Sequence, residues 1–162
     1  MTVYVMTHPL PNDIKLRIQL KDDDFVIGVD QAIAALYKQR IPVHLAVGDF
    51  DSLKNRGLLH GLNVEILPSE KDVTDSFYAL KRAHEMKHDE IVLVGGAGGD
   101  RIEHVVAHFH LFHHYPKLKM ITEDSEIFII DKHIQVLHKG YVNIFPYQKA
   151  VVTLKGFKYP LK

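Results

Sequence analysis

Ile91-Val92-Leu93-Val94-Gly95-Gly96-Ala97-Gly98-Gly99-Asp100-Arg101, with residues 102–114 after it, is the stretch that decides the fold. Its first four residues are apolar and mostly β-branched, the pattern of a strand covered on both faces. The glycines that follow make a turn able to adopt left-handed backbone angles. Residues 102–114 then carry apolar side chains at helical spacing. Strand, glycine turn and helix in succession form the repeating unit of a parallel sheet flanked by helices. The same alternation runs up to about Pro116. Residues 2–6, 25–29, 44–47 and 64–67 read as further strands, and 32–39, 53–60 and 75–87 as further helices. The expected class is α/β, a mostly parallel, Rossmann-like sheet with helices on its faces.

Beyond residue 118 the helical period disappears. Short strand-like runs at 118–122, 126–130, 134–137, 141–145 and 150–154 are separated by Asp, Lys, Gly and Pro. The first is expected to close the parallel sheet. The rest predict an antiparallel second domain, dividing the chain into 1–122 and 123–162. A β domain of that length makes a poor core alone, because chains below about 40 residues seldom bury enough apolar surface.

The 162 residues are 46% hydrophobic and 25% charged, an ordinary globular balance. Lys plus Arg and Asp plus Glu are 20 each, so no basic excess points to nucleic acid. Cysteine is absent, which excludes disulfides and thiolate chemistry. The opening residues lack a cationic segment and a long apolar core, and no apolar run approaches bilayer length. A cytoplasmic protein without membrane partners is expected.

In open α/β sheets, ligands bind beyond the carboxyl ends of the strands. Polar clusters stand at these ends. Asp30 follows the second predicted strand, and Gly48-Asp49-Phe50-Asp51-Ser52 follows the third. Two carboxylates one residue apart suit a hard divalent cation, which takes one or two carboxylates together with phosphate oxygens. The same residues also suit a turn in which Ser52 caps a helix. Lys71-Asp72-Val73-Thr74-Asp75 follows the fourth strand. Thr74 is a good N-cap with Asp75 in the first turn, while Lys71 and Asp72 add a cation and another carboxylate. The glycine turn at 95–99 brings backbone amides to a helix N-terminus, where they can face an anion, and Arg101 adds a forked donor.

Histidine, at twelve residues, offers two further patterns. His84-Glu85-Met86-Lys87-His88 matches H-E-x-x-H, but lies at the end of a predicted helix without an evident third ligand. His104 and His108 stand at i,i+4 spacing in a histidine-rich helix. A partly buried helix face accounts for that pair better than a metal site.

Taken together, the clusters resemble the thiamine pyrophosphokinase family. Gly48-Asp49-Phe50-Asp51-Ser52 is similar to its GDFDS signature and Lys71-Asp72-Val73-Thr74-Asp75 to its KDxTD motif. The glycine loop through His104 resembles GGRxDH, and Thr153-Leu154-Lys155-Gly156-Phe157-Lys158-Tyr159-Pro160-Leu161 resembles TLxGFKYPL. The resemblance implies an α/β catalytic domain followed by a β-sandwich, ATP and thiamine as substrates, Mg²⁺ as cofactor, and a homodimer whose active site lies between subunits. It implies Asp49, Asp51 and Asp75 as metal ligands, with Asp72 either in the metal shell or taking the hydroxyl proton. Lys71 and Arg101 are implied on phosphate. Asp30, Thr74, Gly98, Gly99, Glu103 and His104 complete the expected lining. Family chains continue past the tyrosine–proline–leucine stretch for several strands, so residues 123–162 are expected to form an incomplete sandwich. Departures from the family pattern are Ala32 in place of a glycine, Asp100 as an insertion, and Glu103 in place of an aspartate. Two other readings remain at this stage. Asp49-Phe50-Asp51 after a strand also fits a haloacid-dehalogenase-type phosphatase with Asp49 as nucleophile. A catalytically impaired homologue that only binds nucleotide or thiamine fits as well.

Overall fold

The computed structural model describes residues 1–99, 101–137 and 139–159; Asp100, Pro160 and Leu161, each singled out in the sequence, lie outside them. The chain divides into two units, Met1–Asp131 and Lys132–Lys162.

In the first unit a seven-stranded sheet has the order β4-β3-β2-β1-β5-β6-β7. The strands are β1 Thr2–Thr7, β2 Phe25–Val29, β3 Leu45–Gly48, β4 Val64–Ile66, β5 Glu90–Gly95, β6 Lys119–Ile121 and β7 Glu126–Phe128. All pairings from β4 through β6 are parallel; β7 alone runs antiparallel to its neighbour β6. The apolar runs at 2–6, 25–29, 44–47, 64–67, 91–94 and 118–122 therefore became strands within a residue or two of their expected bounds. The run at 126–130 was expected to open the second domain. Instead it pairs Lys119 with Phe128 and Ile121 with Glu126, extending the same sheet.

Alternation along each strand feeds two cores. Val3, Val5, Ile27, Val47 and Leu93 face α3 (Asp75–Glu85) and α4 (Ile102–His114), meeting Leu80, Ala83, Leu111 and Phe112. Tyr4, Met6, Val26, Val92 and Val94 face the other way, toward Ile14 of α1 (Ile14–Arg17) and Leu36 of α2 (Ala32–Lys38). Helix α1 was not foreseen in the sequence. It starts where the Asp13 carboxylate accepts from the amides of Lys15 and Leu16. The helix expected over 53–60 shortens to a 3-10 turn, Arg56–Leu59, entered by Asn55, whose side chain accepts from the Gly57 amide. Gly57 and Gly61 make a longer helix costly there.

Helix α3 is capped by Thr74, whose hydroxyl accepts from the Phe77 amide at 3.2 Å. It stops at Glu85, two residues short of the expected end, with Met86 extended. A forked pairing of Arg82 with Glu65 (2.9–3.1 Å) braces α3 against β4. The loop carrying Lys71 is strung between those two braced elements.

In the second unit, no strand forms among the described residues. The runs at 134–137, 141–145 and 150–154 remain irregular, and Leu137, Tyr141, Phe145 and Val151 are almost fully exposed. Extended segments need cross-strand partners to form a sheet, and these have none among the described residues.

Leu80 is fully buried where α3 meets the sheet. Leu80→Ala is expected to cost about 2–5 kcal/mol, read as a lower urea midpoint at unchanged slope. A loss well under about 1 kcal/mol would show that α3 is not seated as described.

Candidate active site

The third parallel strand ends in a tight interlock. Asp30 and Phe50 both adopt left-handed backbone angles (φ 46° and 57°), rare for residues with side chains. Hydrogen bonds hold them there: the Asp30 amide donates to the Val47 carbonyl at 3.0 Å, and the Phe50 amide donates to Asp30 Oδ1 at 3.0 Å. Phe50 is buried, anchoring the loop from below. Gly48, between them, has φ 150°, and a Cβ there would lie 2.0 Å from Asp30 Oδ1. The glycine of this motif is therefore required by the aspartate of the preceding strand.

Lys71 occupies the centre of the cluster. Its ammonium lies 3.0 Å from Asp75 Oδ1, 3.5 Å from Asp49 Oδ2 and 2.9 Å from the Pro68 carbonyl. Lys71, Asp49 and Asp75 are each about one-sixth to one-fifth exposed, enough burial for their charges to interact strongly. Asp75 Oδ1 is fully buried and meets the Lys71 ammonium. Asp49 also accepts from the Asp51 amide through its other oxygen. The Asp51 carboxylate turns away from the cluster, pairing with Arg56 at 3.0 Å and accepting from the Ser69 hydroxyl at 3.1 Å. Asp72 is exposed, and Thr74 is the N-cap of α3. Among the described residues, no three His, Cys, Asp or Glu side chains converge closely enough to hold a metal by themselves.

These placements set the charges. Burial pushes Asp30 up to about 7; the Phe50 amide opposes this, while repulsion from Asp75 and Asp49 and a hydrogen bond shared with the Asp75 carboxylate add to it. Burial disfavours the Lys71 ammonium, but Asp75 and Asp49 outweigh this and raise its pKa above the ordinary lysine value. One acid is poised near neutrality beside two carboxylates that share a protonated lysine.

Across the carboxyl end of β5, the glycine loop has left-handed φ at Gly95, Gly96, Gly98 and Gly99. The Gly96 amide donates to the Pro9 carbonyl at 3.0 Å. Arg101 enters α4 and is exposed; its Nε donates to Glu103 at 2.7 Å, which lowers the Glu103 pKa. His104 lies in the first turn of α4, half-buried. The cluster thus gathers Asp30, Asp49, Lys71 and Asp75, while the side chains of Asp51, Asp72, Arg101 and Glu103 stand outside it.

The histidine patterns resolve plainly. His88 lies beyond the end of α3, and its Nδ1 contacts the Met86 carbonyl at 2.7 Å, so H-E-x-x-H does not form one helical face. His108 is buried with both ring nitrogens engaged, to the Gly96 carbonyl (2.8 Å) and the Ser76 hydroxyl (3.1 Å). Its place on a helix face and its i,i+4 spacing from His104 give no hint of these partners.

A family model described as thiamin pyrophosphokinase, catalytic domain, matches residues 16–123. Thiamine pyrophosphokinase of Bacillus subtilis (strain 168) is 31% identical over 83% of this chain and 69% of its own length. The crystal structure of thiamin pyrophosphokinase from Geobacillus thermodenitrificans superimposes with a TM-score of 0.62 at 27% identity, over 75% of this chain and 59% of that one. The Bacillus subtilis thiamine pyrophosphokinase structure gives 0.64 at 28% identity, over 75% and 60% respectively. The chain spans about three-fifths of the length of these solved relatives. It belongs to the thiamin pyrophosphokinase family, and the matched segment carries every member of the lysine-bridged carboxylate cluster.

Proposed function

We propose that this protein transfers the pyrophosphoryl group of ATP to the hydroxyl of thiamine, yielding thiamine diphosphate and AMP. The observation that carries the reading is the Lys71 ammonium shared by Asp49 and Asp75, with Asp30 beside them, at the carboxyl ends of parallel strands. Phosphoryl-type transfer relies on positioning and charge neutralisation more than on covalent catalysis.

The donor set suits magnesium. Asp75 Oδ1 is a buried oxygen held by the Lys71 ammonium at 3.0 Å, and a second carboxylate, Asp49, faces the same ammonium. Two carboxylates plus phosphate oxygens and water are the usual surroundings of that ion. Asp49 and Asp75 would hold it, with Asp51 joining them in exchange for its Arg56 partner. Bound there, the ion supplies a clamp on phosphoryl charge. Lys71 neutralises the polyphosphate, and Arg101 with the Gly98 and Gly99 amides receives its outer oxygens.

The thiamine hydroxyl oxygen bonds to the β-phosphorus as the bond from that phosphorus to the bridging oxygen breaks. AMP leaves with the bridging oxygen. Asp30, beside Asp49 and Asp75, is the proposed acceptor of the hydroxyl proton, with Asp72 as the alternative. The second unit is proposed to belong to a β-sandwich that contacts thiamine, with a homodimer bringing it to the site.

With ATP, Mg²⁺ and thiamine, equal yields of AMP and thiamine diphosphate are expected. Orthophosphate released without thiamine would support the phosphatase reading instead. ATP binding without AMP formation would leave a binding protein. Asp75→Asn is expected to lower AMP formation about 10²–10³-fold, the scale for losing one preorganised electrostatic contact, in a protein that still unfolds cooperatively.

Asp30 also predicts a pH signature. Between its ordinary value of 3.8 and about 7 the unfolded chain has lost this proton while the folded protein keeps it. The folded state binds more protons there, so this residue lowers stability as pH rises across that window. Asp30→Asn keeps an oxygen to accept from the Phe50 amide and removes the charge. The variant should match wild type in stability near pH 4 and exceed it at pH 8 in thermal unfolding without divalent ions. A pH-independent offset would place the titration elsewhere.

A further inference from the structure

We infer that His108 is a positioning residue: it locks the start of the glycine loop to the first turn of α3, fixing the loop amides and Asp75 in one geometry. Its functional meaning rests on the transfer reading above, whereas the link itself stands on hydrogen bonds. His108 Nδ1 meets the Gly96 carbonyl at 2.8 Å, its Nε2 meets Ser76 Oγ at 3.1 Å, and Ser76 Oγ meets Thr7 Oγ1 at 3.0 Å. Ser76 directly follows Asp75, Gly96 opens the glycine loop, and Thr7 ends β1. One side chain of α4 thus joins three elements whose ends border the site.

The hydrogens have one consistent arrangement for a neutral ring. The Gly96 carbonyl only accepts, so Nδ1 carries the ring proton and Nε2 is left to accept from the Ser76 hydroxyl. Thr7 then donates to Ser76. Burial keeps His108 neutral by lowering its pKa, with His104 adding a smaller repulsion. Thr7, Ser76 and His108 are all under one-tenth exposed, so water does not substitute for a lost partner at no cost. Packing enforces the same link. A Cβ at Gly96 would come within 2.6 Å of the His108 ring and 2.9 Å of Thr7 Cγ2.

Variants divide the link into halves. In His108→Asn the side-chain amide can still donate to Gly96 while falling short of Ser76. In His108→Gln it can reach Ser76 and gives up Gly96. His108→Leu removes both. Amide hydrogen exchange reads the outcome at Gly96, which donates to Pro9, and at Phe77 and Tyr78, which donate to Thr74. His108→Leu is expected to speed exchange about tenfold at both places while the interior of β1 and β2 stays protected. His108→Asn should spare Gly96, and His108→Gln should spare the α3 turn. In turnover with ATP and thiamine, loss of the Gly96 contact should raise KM for ATP, and loss of the Ser76 contact should lower kcat.

Unchanged exchange at both places, or uniform acceleration across the sheet, would overturn the inference by leaving His108 inert or only generally stabilising. Should His108→Leu not fold, the opposite asymmetry expected of the Asn and Gln variants decides the matter, and equal effects from those two also overturn it. A wild-type protein that makes no AMP refutes the transfer reading, while the exchange pattern still judges the link.

Discussion

Like charge confined to a small volume is the condition to which the rest of this site answers. Asp30, Asp49 and Asp75 approach one another at the rim of the sheet, and partly buried carboxylates so placed cannot all ionise without a counter-charge. Lys71 supplies one positive charge to two of them. Asp30 absorbs the remainder by holding its proton toward neutrality. Lysine, carboxylates and proton thus form a single electrostatic unit, and changing any member shifts the others.

The scaffold that delivers this unit uses ordinary forces. Apolar alternation covers both faces of the sheet, and the parallel strands end along one rim. Thr74 fixes where α3 begins, and the Arg82–Glu65 fork sets where α3 sits relative to β4. Lys71 is therefore held on a short loop between two elements braced against each other, and Asp75 at the start of the second. Preorganisation of this kind matters because an electrostatic site is effective only if its groups need not rearrange as charge develops.

The sheet was legible because continuous apolar runs bounded by turn residues leave few alternatives to buried parallel strands. Its edge was not, since a short strand-like run such as Glu126–Phe128 does not specify which neighbour it pairs with. Residues 134–137, 141–145 and 150–154 carry strand-like composition, and composition does not supply the partner that a strand requires. Within the site, Lys71, Asp49 and Asp75 were legible from motif and strand-end position, but the turning of Asp51 toward Arg56 was not. The His108 link was hidden for a different reason. Ser76 is 32 residues from His108 and Thr7 is 69 residues from Ser76, distances over which pattern reading has no purchase.

The contact between Gly48 and Asp30 carries a consequence for how this sequence can diverge. The two positions share a volume that holds either a carboxylate from one strand or a methyl group from the next, since the added carbon would stand 2.0 Å from Asp30 Oδ1. Alanine at 48 is admissible only in a lineage that has already shortened residue 30, and even then it inherits an awkward backbone angle. The order of replacement is constrained along with the residues themselves. Descendants that keep the acid keep the glycine, and the pair drifts together or not at all.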